Sequence, residues 1–259
     1  MWIKWGVRRL AAMNDWRSLI LPREHGVWGL LAGAALVGLP LSRDLVGLPL
    51  LGSALAGVVL RQALSQPRDA VGRNLVLALA GCIALLGLLA TATLAGERSW
   101  MPWLVASALV GVMCLRTPAG RPWWFSAGGG VAAGLLAGAI AAAGGAGPGA
   151  VAIGAGALAM HLVSSIPLVR SQTRGKAEWA SLAIEVHVIA VLTATGGWAA
   201  GLVPAVIPLV FGLGLVRALY LVDKPTRMSG SPARIGLREL AWLPVLAAAV
   251  VVGLRGVRC

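Results

Sequence analysis

A short segment before the first apolar run carries the sharpest chemical signal in the chain. Positions 21–28 read LPREHGVW, so Arg23, Glu24 and His25 bring a cation, a carboxylate and an imidazole together. At the edge of a membrane, half-dry surroundings change the proton affinities of such groups, which makes them candidates for ligand or proton binding. A structural cap is the alternative, since Pro22 and Glu24 also suit the N-terminus of a helix.

Two predicted loops combine cations with few acids. The loop after the second apolar run holds Arg61, Asp69 and Arg73, and the loop after the sixth holds Arg170 and Glu178. Guanidinium groups bind phosphate, carboxylate or lipid headgroup oxygens through charge-assisted hydrogen bonds without a metal. The alternative is that these cations only set the membrane topology and contact lipid headgroups.

A carboxylate and an imidazole also lie inside the predicted seventh run, as Glu185 and His187. Ionisable side chains in a membrane span are costly unless they face a partner or water, which makes them functional candidates. Two residues apart on a helix, they point to different sides, whereas Glu178 and Glu185 share a face. Ser181 is placed to bond Glu185 one turn away. A hydrogen-bonded packing role is the alternative for His187.

The sequence predicts no metal site and leaves the cofactor unknown. Cys82, Cys114 and Cys259 form no CxxC pair, and no nucleophile-histidine or paired-carboxylate arrangement is legible. Haem would need His161, in the sixth run, and His187 to face each other as axial ligands. A packing role is the simpler account of both histidines, so haem is disfavoured.

The elements that must position these residues are membrane-spanning helices. Hydrophobic residues make up 58% of the 259 residues, charged residues only 12%, and the mean hydropathy is +0.84, a composition that excludes a soluble domain. Apolar runs of helix-spanning length lack the alternation of a barrel, so we predict an all-α polytopic bundle of about nine spans. They are placed at 26–42, 45–65, 74–95, 101–116, 124–142, 149–169, 178–197, 201–221 and 238–255.

The cations divide unevenly between the two ends of these spans. Of the 22 Lys and Arg residues, all but Arg43, Arg98, Arg255 and Arg258 fall at one side. Since a cytoplasmic excess of cations sets orientation, we predict a multi-pass protein of the cell inner (plasma) membrane with the N-terminus cytoplasmic and the C-terminus outside. Membrane topology also explains the net charge of +13 without nucleic acid. Residues 1–24 are predicted to form a basic amphipathic segment on the inner leaflet, and residues 25–259 one transmembrane domain.

Small and aromatic residues indicate how the helices are arranged. Gly and Ala dominate the fifth and sixth runs, where missing side chains let helix backbones approach closely in lipid. Tryptophans cluster near the predicted span ends, where an indole ring suits the membrane interface. These anchors are predicted at Trp28, Trp100, Trp103, Trp123, Trp124, Trp179 and Trp198.

The opening PREHGxW pattern resembles the start of YwiC-like membrane proteins. The resemblance extends to Arg61-Gln62-Ala63-Leu64-Ser65, to Pro167-Leu168-Val169-Arg170, to His187 and to Gly236-Leu237-Arg238-Glu239-Leu240. It implies a bacterial integral membrane protein of a family without an established activity. The resemblance therefore suggests a family for the chain but not a function.

Nine spans with polar loops after the even-numbered ones also look like the topology of UbiA-type intramembrane prenyltransferases. That likeness implies a cytoplasm-facing cavity. Those enzymes hold a prenyl diphosphate through magnesium on two aspartate-rich motifs, whereas the corresponding loops here offer only Asp69 and Glu178. Metal-dependent prenyl transfer is therefore disfavoured, and magnesium stays an open alternative.

The leading hypothesis is a UbiA-like bundle whose cytoplasm-facing cavity binds an amphipathic anionic molecule, such as an isoprenoid or lipid intermediate. Whether it is an enzyme stays open. The first alternative is a small proton-coupled transporter using Glu185 and His187, although the spans show no clear internal repeat. The second is a non-catalytic assembly subunit of a membrane complex. The oligomeric state is left undetermined.

Overall fold

The computed structural model describes residues 25–66, 72–115, 123–174, 177–223, 235, 238–239 and 241–256. Within these ranges the chain forms nine helices and no strand, which confirms the predicted all-α bundle. The helices are α1 (His25–Leu41), α2 (Gly47–Leu64), α3 (Arg73–Leu94), α4 (Met101–Leu115), α5 (Trp123–Ala143), α6 (Pro148–Arg174), α7 (Ala177–Ala199), α8 (Val206–Asp223) and α9 (Leu243–Gly256).

Five of these helices, α2, α3, α5, α6 and α7, are long and apolar enough to cross a membrane, and the other four are shorter apolar helices. Leucine and isoleucine side chains cover the outer surface, for example at Leu79, Ile83 and Leu86 of α3. An apolar surface of this kind fits a lipid bilayer rather than water. The predicted amphipathic segment at residues 1–24 lies outside the described residues.

Two helix boundaries differ from the prediction because of local turn chemistry. The turn after α7 has Gly201 in the left-handed region at φ +73°, and Leu202 N donates to the Gly197 carbonyl at 2.9 Å. Glycine adopts this conformation without the steric cost of a Cβ, so it ends the helix. Pro204 follows, and α8 begins at Val206 rather than at 201. The last helix begins at Leu243; Arg238 and Glu239 before it are also helical, and Trp242 N donates to Glu239 O in the turn between them and Leu243.

Helices α1, α5 and α6 form the centre of the bundle. Helix α5 packs on α1, α2, α4 and α6, while α6 also packs on α7, α8 and α9. The apolar window of α5 is 67% buried, whereas that of α3 is 17% buried, because α3 packs mainly on α2 at the edge. The core at the centre is filled by Leu50, Ile140, Leu158, Leu243 and Leu246.

The glycines of α5 allow this close packing, as the composition predicted. A Cβ added at Gly134 would lie 2.5 Å from the Ala155 carbonyl oxygen of α6, and one at Gly130 would lie 2.9 Å from Cβ of Leu162. Any side chain at these positions would push α5 and α6 apart. The two helices therefore approach backbone to backbone, the arrangement that small residues make possible in lipid.

The tryptophans divide into two groups. Trp124 and Trp198 are more than half exposed near helix ends, as expected of interface anchors. Trp100 and Trp103 instead pack in or against the core, where the Trp103 ring covers Gly138 of α5. The anchor prediction is therefore wrong for these two; in the case of Trp103, the missing side chain of Gly138 leaves space that the ring fills.

Candidate functional site

The predicted site residues near the first span lie mostly outside the described part of the chain. Arg23, Glu24 and Asp69 are not described, and of His25 only its place at the first position of α1 is. The hypothesis that these residues gather around one mouth stays a prediction.

The arginines of the loop after the second span are near the α2–α3 hairpin. Nε of Arg73 donates to the carbonyl oxygen of Ala63 at 3.1 Å, so its side chain satisfies a carbonyl at the C-terminal end of α2. Arg61 lies in the last turn of α2 and has partners of its own. The hairpin is at the edge of the bundle, so the structure does not bring these two arginines to the centre.

Arg170 has a defined setting at the end of α6. Its Nη2 donates to the Ser126 hydroxyl of α5 at 2.9 Å, and its Cζ lies 4.8 Å from the centre of the Trp179 ring of α7. A guanidinium stacked on an indole face is attracted by the ring quadrupole and keeps a fixed plane. Arg170 thus connects three helices at one end of the bundle.

Glu185 and His187 point to opposite sides of α7, as their spacing predicted. Glu185 is exposed on the outer surface, where the Ser181 hydroxyl donates to its Oε1 at 2.6 Å. Glu178 is exposed on the same face. His187 is buried and lies against α8, since a Cβ added at Gly214 would be 3.9 Å from its Cδ2. The two candidates therefore belong to different surfaces and cannot act together.

The side of α7 that carries His187 faces a buried polar cluster, which we call the histidine cluster. It is built from α6, α7, α8 and the turn before α9. Its members are His161, Ser164, Ser165, His187, Arg217, Glu239 and Trp242. Both histidines lie near the middle of their helices, and the serines follow His161 by one turn of α6.

An ion pair forms one end of the histidine cluster. Arg217 of α8 donates from Nη1 to Oε2 of Glu239 at 3.0 Å and from Nη2 to Oε1 at 2.5 Å. Its Cζ lies 5.3 Å from the centre of the Trp242 ring. This two-bond geometry satisfies both carboxylate oxygens, and the stacked indole covers the guanidinium. A charge inside an apolar helix is thereby neutralised.

The other end of the histidine cluster holds the imidazoles and hydroxyls. Nδ1 of His187 is 2.7 Å from the Ala183 carbonyl oxygen, which can only accept, so Nδ1 carries a proton. In the neutral ring Nε2 is then an acceptor. The Ser164 hydroxyl donates to the His161 carbonyl at 3.0 Å. Among the described residues, no hydrogen-bond partner is recorded for the His161 ring.

These groups surround a small cavity, with Val210, Phe211 and Leu246 as apolar walls. The space open to the centre of a water-sized sphere is about 10 Å³, close to what one water molecule requires. A porphyrin does not fit between His161 and His187 in this geometry. In the described part of the chain, no three His, Cys, Asp or Glu side chains gather as a metal site would require.

Sequence reasoning found only His161 and His187 of this cluster. It counted Arg217 among the cations of the loop after the eighth span, whereas six residues of α8 follow Arg217, and it placed Glu239 at the start of the last span without pairing the two. The available signal was a cation within an apolar run, followed 22 residues later by the carboxylate of Glu239.

Comparisons of this chain with protein-family models, with curated proteins and with solved structures found no match. The YwiC-like resemblance and the UbiA-like topology stay predictions.

Proposed function

We propose that this chain is a small proton-coupled transporter of the cell inner membrane, and that the histidine cluster is its proton site. One observation carries the proposal: two imidazoles, two serine hydroxyls and the side chain of Arg217, which is paired with Glu239, line a one-water cavity between three helices and the turn before α9. Polar groups are expensive at such a depth, and their collection around one cavity favours a working site over packing.

The chemistry of the cluster suits reversible proton binding. Because Nδ1 of His187 is engaged with Ala183, Nε2 is the nitrogen left to accept a proton from water in the cavity. Ser164 and Ser165 add hydroxyls that both donate and accept hydrogen bonds. Since Arg217 is neutralised by Glu239, the charge of the cluster changes with the protonation of its histidines.

The helix that carries His161 contains a proline beside the cluster. Pro167 lies within α6 and cannot donate a backbone hydrogen bond to Val163, one residue before Ser164. A proline within a helix leaves a backbone carbonyl available and allows the helix to bend. The N-terminus inside and the C-terminus outside are part of this proposal, supported by the distribution of cations.

Proton movement can be measured with purified protein in liposomes that contain the pH-sensitive dye pyranine. A potassium gradient with valinomycin imposes a potential, and candidate small solutes are added outside in turn. We expect His161→Ala and His187→Ala each to reduce proton uptake roughly 10-fold or more, as for loss of a proton-transfer group. Ser53→Ala removes a buried hydroxyl from α2, outside the cluster, and is the matched control.

Two outcomes would overturn the proposal. One is proton uptake that persists unchanged in the double variant His161→Ala/His187→Ala. The other is wild-type protein that moves no protons with any solute while it stays folded and monodisperse.

A second candidate function is binding of an amphipathic anionic ligand, such as an isoprenoid or lipid phosphate, at the end of α6. The arrangement of Arg170 between Ser126 and Trp179 supports it, because an aromatic ring beside a held guanidinium suits a phosphate with an apolar tail. We expect Arg170→Ala to lose dioleoyl phosphatidic acid retained by wild type in native mass spectrometry, and Arg170→Lys to keep part of it. Equal retention by all three proteins would exclude this candidate and leave the transporter proposal intact.

A further inference from the structure

The histidine cluster contains buried polar atoms that no described residue satisfies. The side chain of Ser165 is buried, at 6% exposure, and its hydroxyl has no hydrogen bond to any described residue. Nε2 of His187 is in the same situation, because Nδ1 is the ring nitrogen that contacts the Ala183 carbonyl. Buried polar groups normally have hydrogen-bond partners. Both residues line the one-water cavity, so a ligand in this cavity would satisfy them.

The charged and titratable groups in the wall of this cavity are of one sign. Among the described residues, Arg217 and the two histidines line it, whereas neither Glu239 nor any other carboxylate does. Both oxygens of Glu239 already accept hydrogen bonds from Arg217. A guanidinium has five N–H groups, and this pair uses two of them. The wall therefore offers donors and positive charge but no carboxylate oxygen, which suits an anion and not a cation.

Protonation of His187 completes such a site. In the neutral ring, Nε2 presents a lone pair, which repels an anion. Once Nε2 takes a proton from water, it becomes an N–H donor on a cationic ring. A proton and a monovalent anion together add no net charge, so neither is left as an unpaired charge in an apolar bundle. The other charged or titratable groups facing His187 are His161 of α6, Arg217 of α8 and Glu239 before α9.

We propose that the histidine cluster binds a halide ion together with a proton on Nε2 of His187, and that the protein moves the two across the membrane as a pair. This inference rests on the proposed transporter function and names its substrate class. A cavity for one water molecule admits a monatomic anion and excludes a carboxylate or phosphate ion with several oxygens. In it, Arg217, Ser165 and protonated His187 donate hydrogen bonds to the ion.

Chloride binding to the purified protein tests the site directly. Retention of radioactive chloride in a scintillation proximity assay is measured between about pH 8 and about pH 5, the range in which an imidazole gains its proton. We expect retention to increase as the pH falls, and unlabelled fluoride or chloride to displace the label. Ser165→Ala should weaken binding roughly 10-fold, as for loss of one hydrogen bond to a charged group. The matched control Ser53→Ala of α2 should bind chloride as wild type does.

The variant His187→Gln separates anion binding from proton binding. Glutamine keeps an N–H donor but does not titrate, so its chloride binding should be weaker than that of wild type at low pH and independent of pH. In pyranine-loaded liposomes, an inward chloride gradient should acidify the interior with wild type and not with His187→Gln. An equal gradient of gluconate, which is too large for the cavity, should have no effect with either protein.

Two results would contradict the inference and leave the transporter proposal intact. One is wild-type protein that binds neither chloride nor fluoride at any pH but takes up protons with another solute. The other is chloride binding that is equal at both ends of the pH range while protons are still moved. Absence of proton uptake with every solute contradicts the transporter proposal itself, and the inference with it.

Discussion

Arg217 shows how a single charge is accommodated inside this bundle. The distribution of cations counted it among the loop residues. Its guanidinium instead donates two hydrogen bonds to the Glu239 carboxylate and stacks on the Trp242 ring. Burial removes the hydration of both charges, so the pair as a whole adds little to stability. Removing one partner costs much more, because the other charge is left unpaired. The consequence is testable with single and double substitutions.

We predict that Glu239→Leu lowers the free energy of unfolding by about 3–5 kcal/mol, because it leaves the Arg217 charge unpaired in an apolar setting. The double variant Arg217→Met/Glu239→Leu should recover much of that loss. Denaturation of the detergent-solubilised protein, followed by tryptophan fluorescence, measures both. If the double variant is as unstable as the single one, the ion pair does not carry this cost.

For single residues, the sequence predicted on which side of a helix a side chain lies, but not which residue of another element it contacts. The rotation between Glu185 and His187 follows from helix geometry alone, and the structure places them on opposite sides of α7. The Ser181 bond to Glu185 also follows from one helical turn. The Arg217–Glu239 pair joins two separate elements, and local periodicity does not encode the path between them.

The contact between α5 and α6 depends on glycines, whose missing side chains let the two helix backbones approach closely. Gly134 lies against the Ala155 backbone oxygen of α6, which cannot be displaced without moving the helix. Gly156 of α6 provides a comparison, because a Cβ added there meets nothing within 4 Å.

We predict opposite signs for alanine at these two positions. Gly134→Ala should destabilise the protein by about 1–3 kcal/mol, the range expected for overpacking a tight contact. Gly156→Ala should be neutral or stabilise it by up to about 1 kcal/mol, because alanine is the better helix former. Thermal unfolding of both variants in one detergent gives the comparison. Equal losses at the two positions would show that backbone contact does not explain the α5 glycines.

Element boundaries were predictable except where turn geometry decides them. The spans at 45–65 and 74–95 agree closely with α2 and α3, because length and hydropathy determine them. The start of α8 was misplaced, since Gly201 takes a left-handed conformation that the apolar run 201–221 does not reveal. The packing order of the helices was not predictable, because most of their surfaces are apolar and differ little from one another.

For the molecule as a whole, orientation in the membrane is the simplest property to measure. If the cation-rich ends are cytoplasmic, the turn between α3 and α4 lies outside and the end of α2 lies inside. In cysteine-free protein in intact cells, we expect Glu97→Cys to react with a membrane-impermeant maleimide and Ser65→Cys to react only after permeabilisation. Both residues are exposed. The reverse labelling pattern would invert the proposed topology.

The whole-molecule prediction of a helical membrane bundle rested on composition, and the nine helices confirm its all-helical architecture. The candidate site was less predictable. Arg73, predicted in a loop, is the first residue of α3 and donates to a carbonyl at the end of α2, whereas the histidine cluster forms only through tertiary contacts. Two of its members, His161 and His187, were noticed because ionisable residues in a span are conspicuous.

The α2–α3 hairpin has a consequence for how the protein loses structure. Its two helices are joined by Ser53, whose hydroxyl donates to the Ala84 carbonyl at 3.0 Å, and by the close approach of Gly87 to Pro49. Since α3 packs mainly on α2, moving α3 away from the bundle exposes few buried side chains of the other helices. The bundle should therefore open in stages. In deuterated buffer with lipid nanodiscs, amides of α3 should therefore exchange well before those of α5.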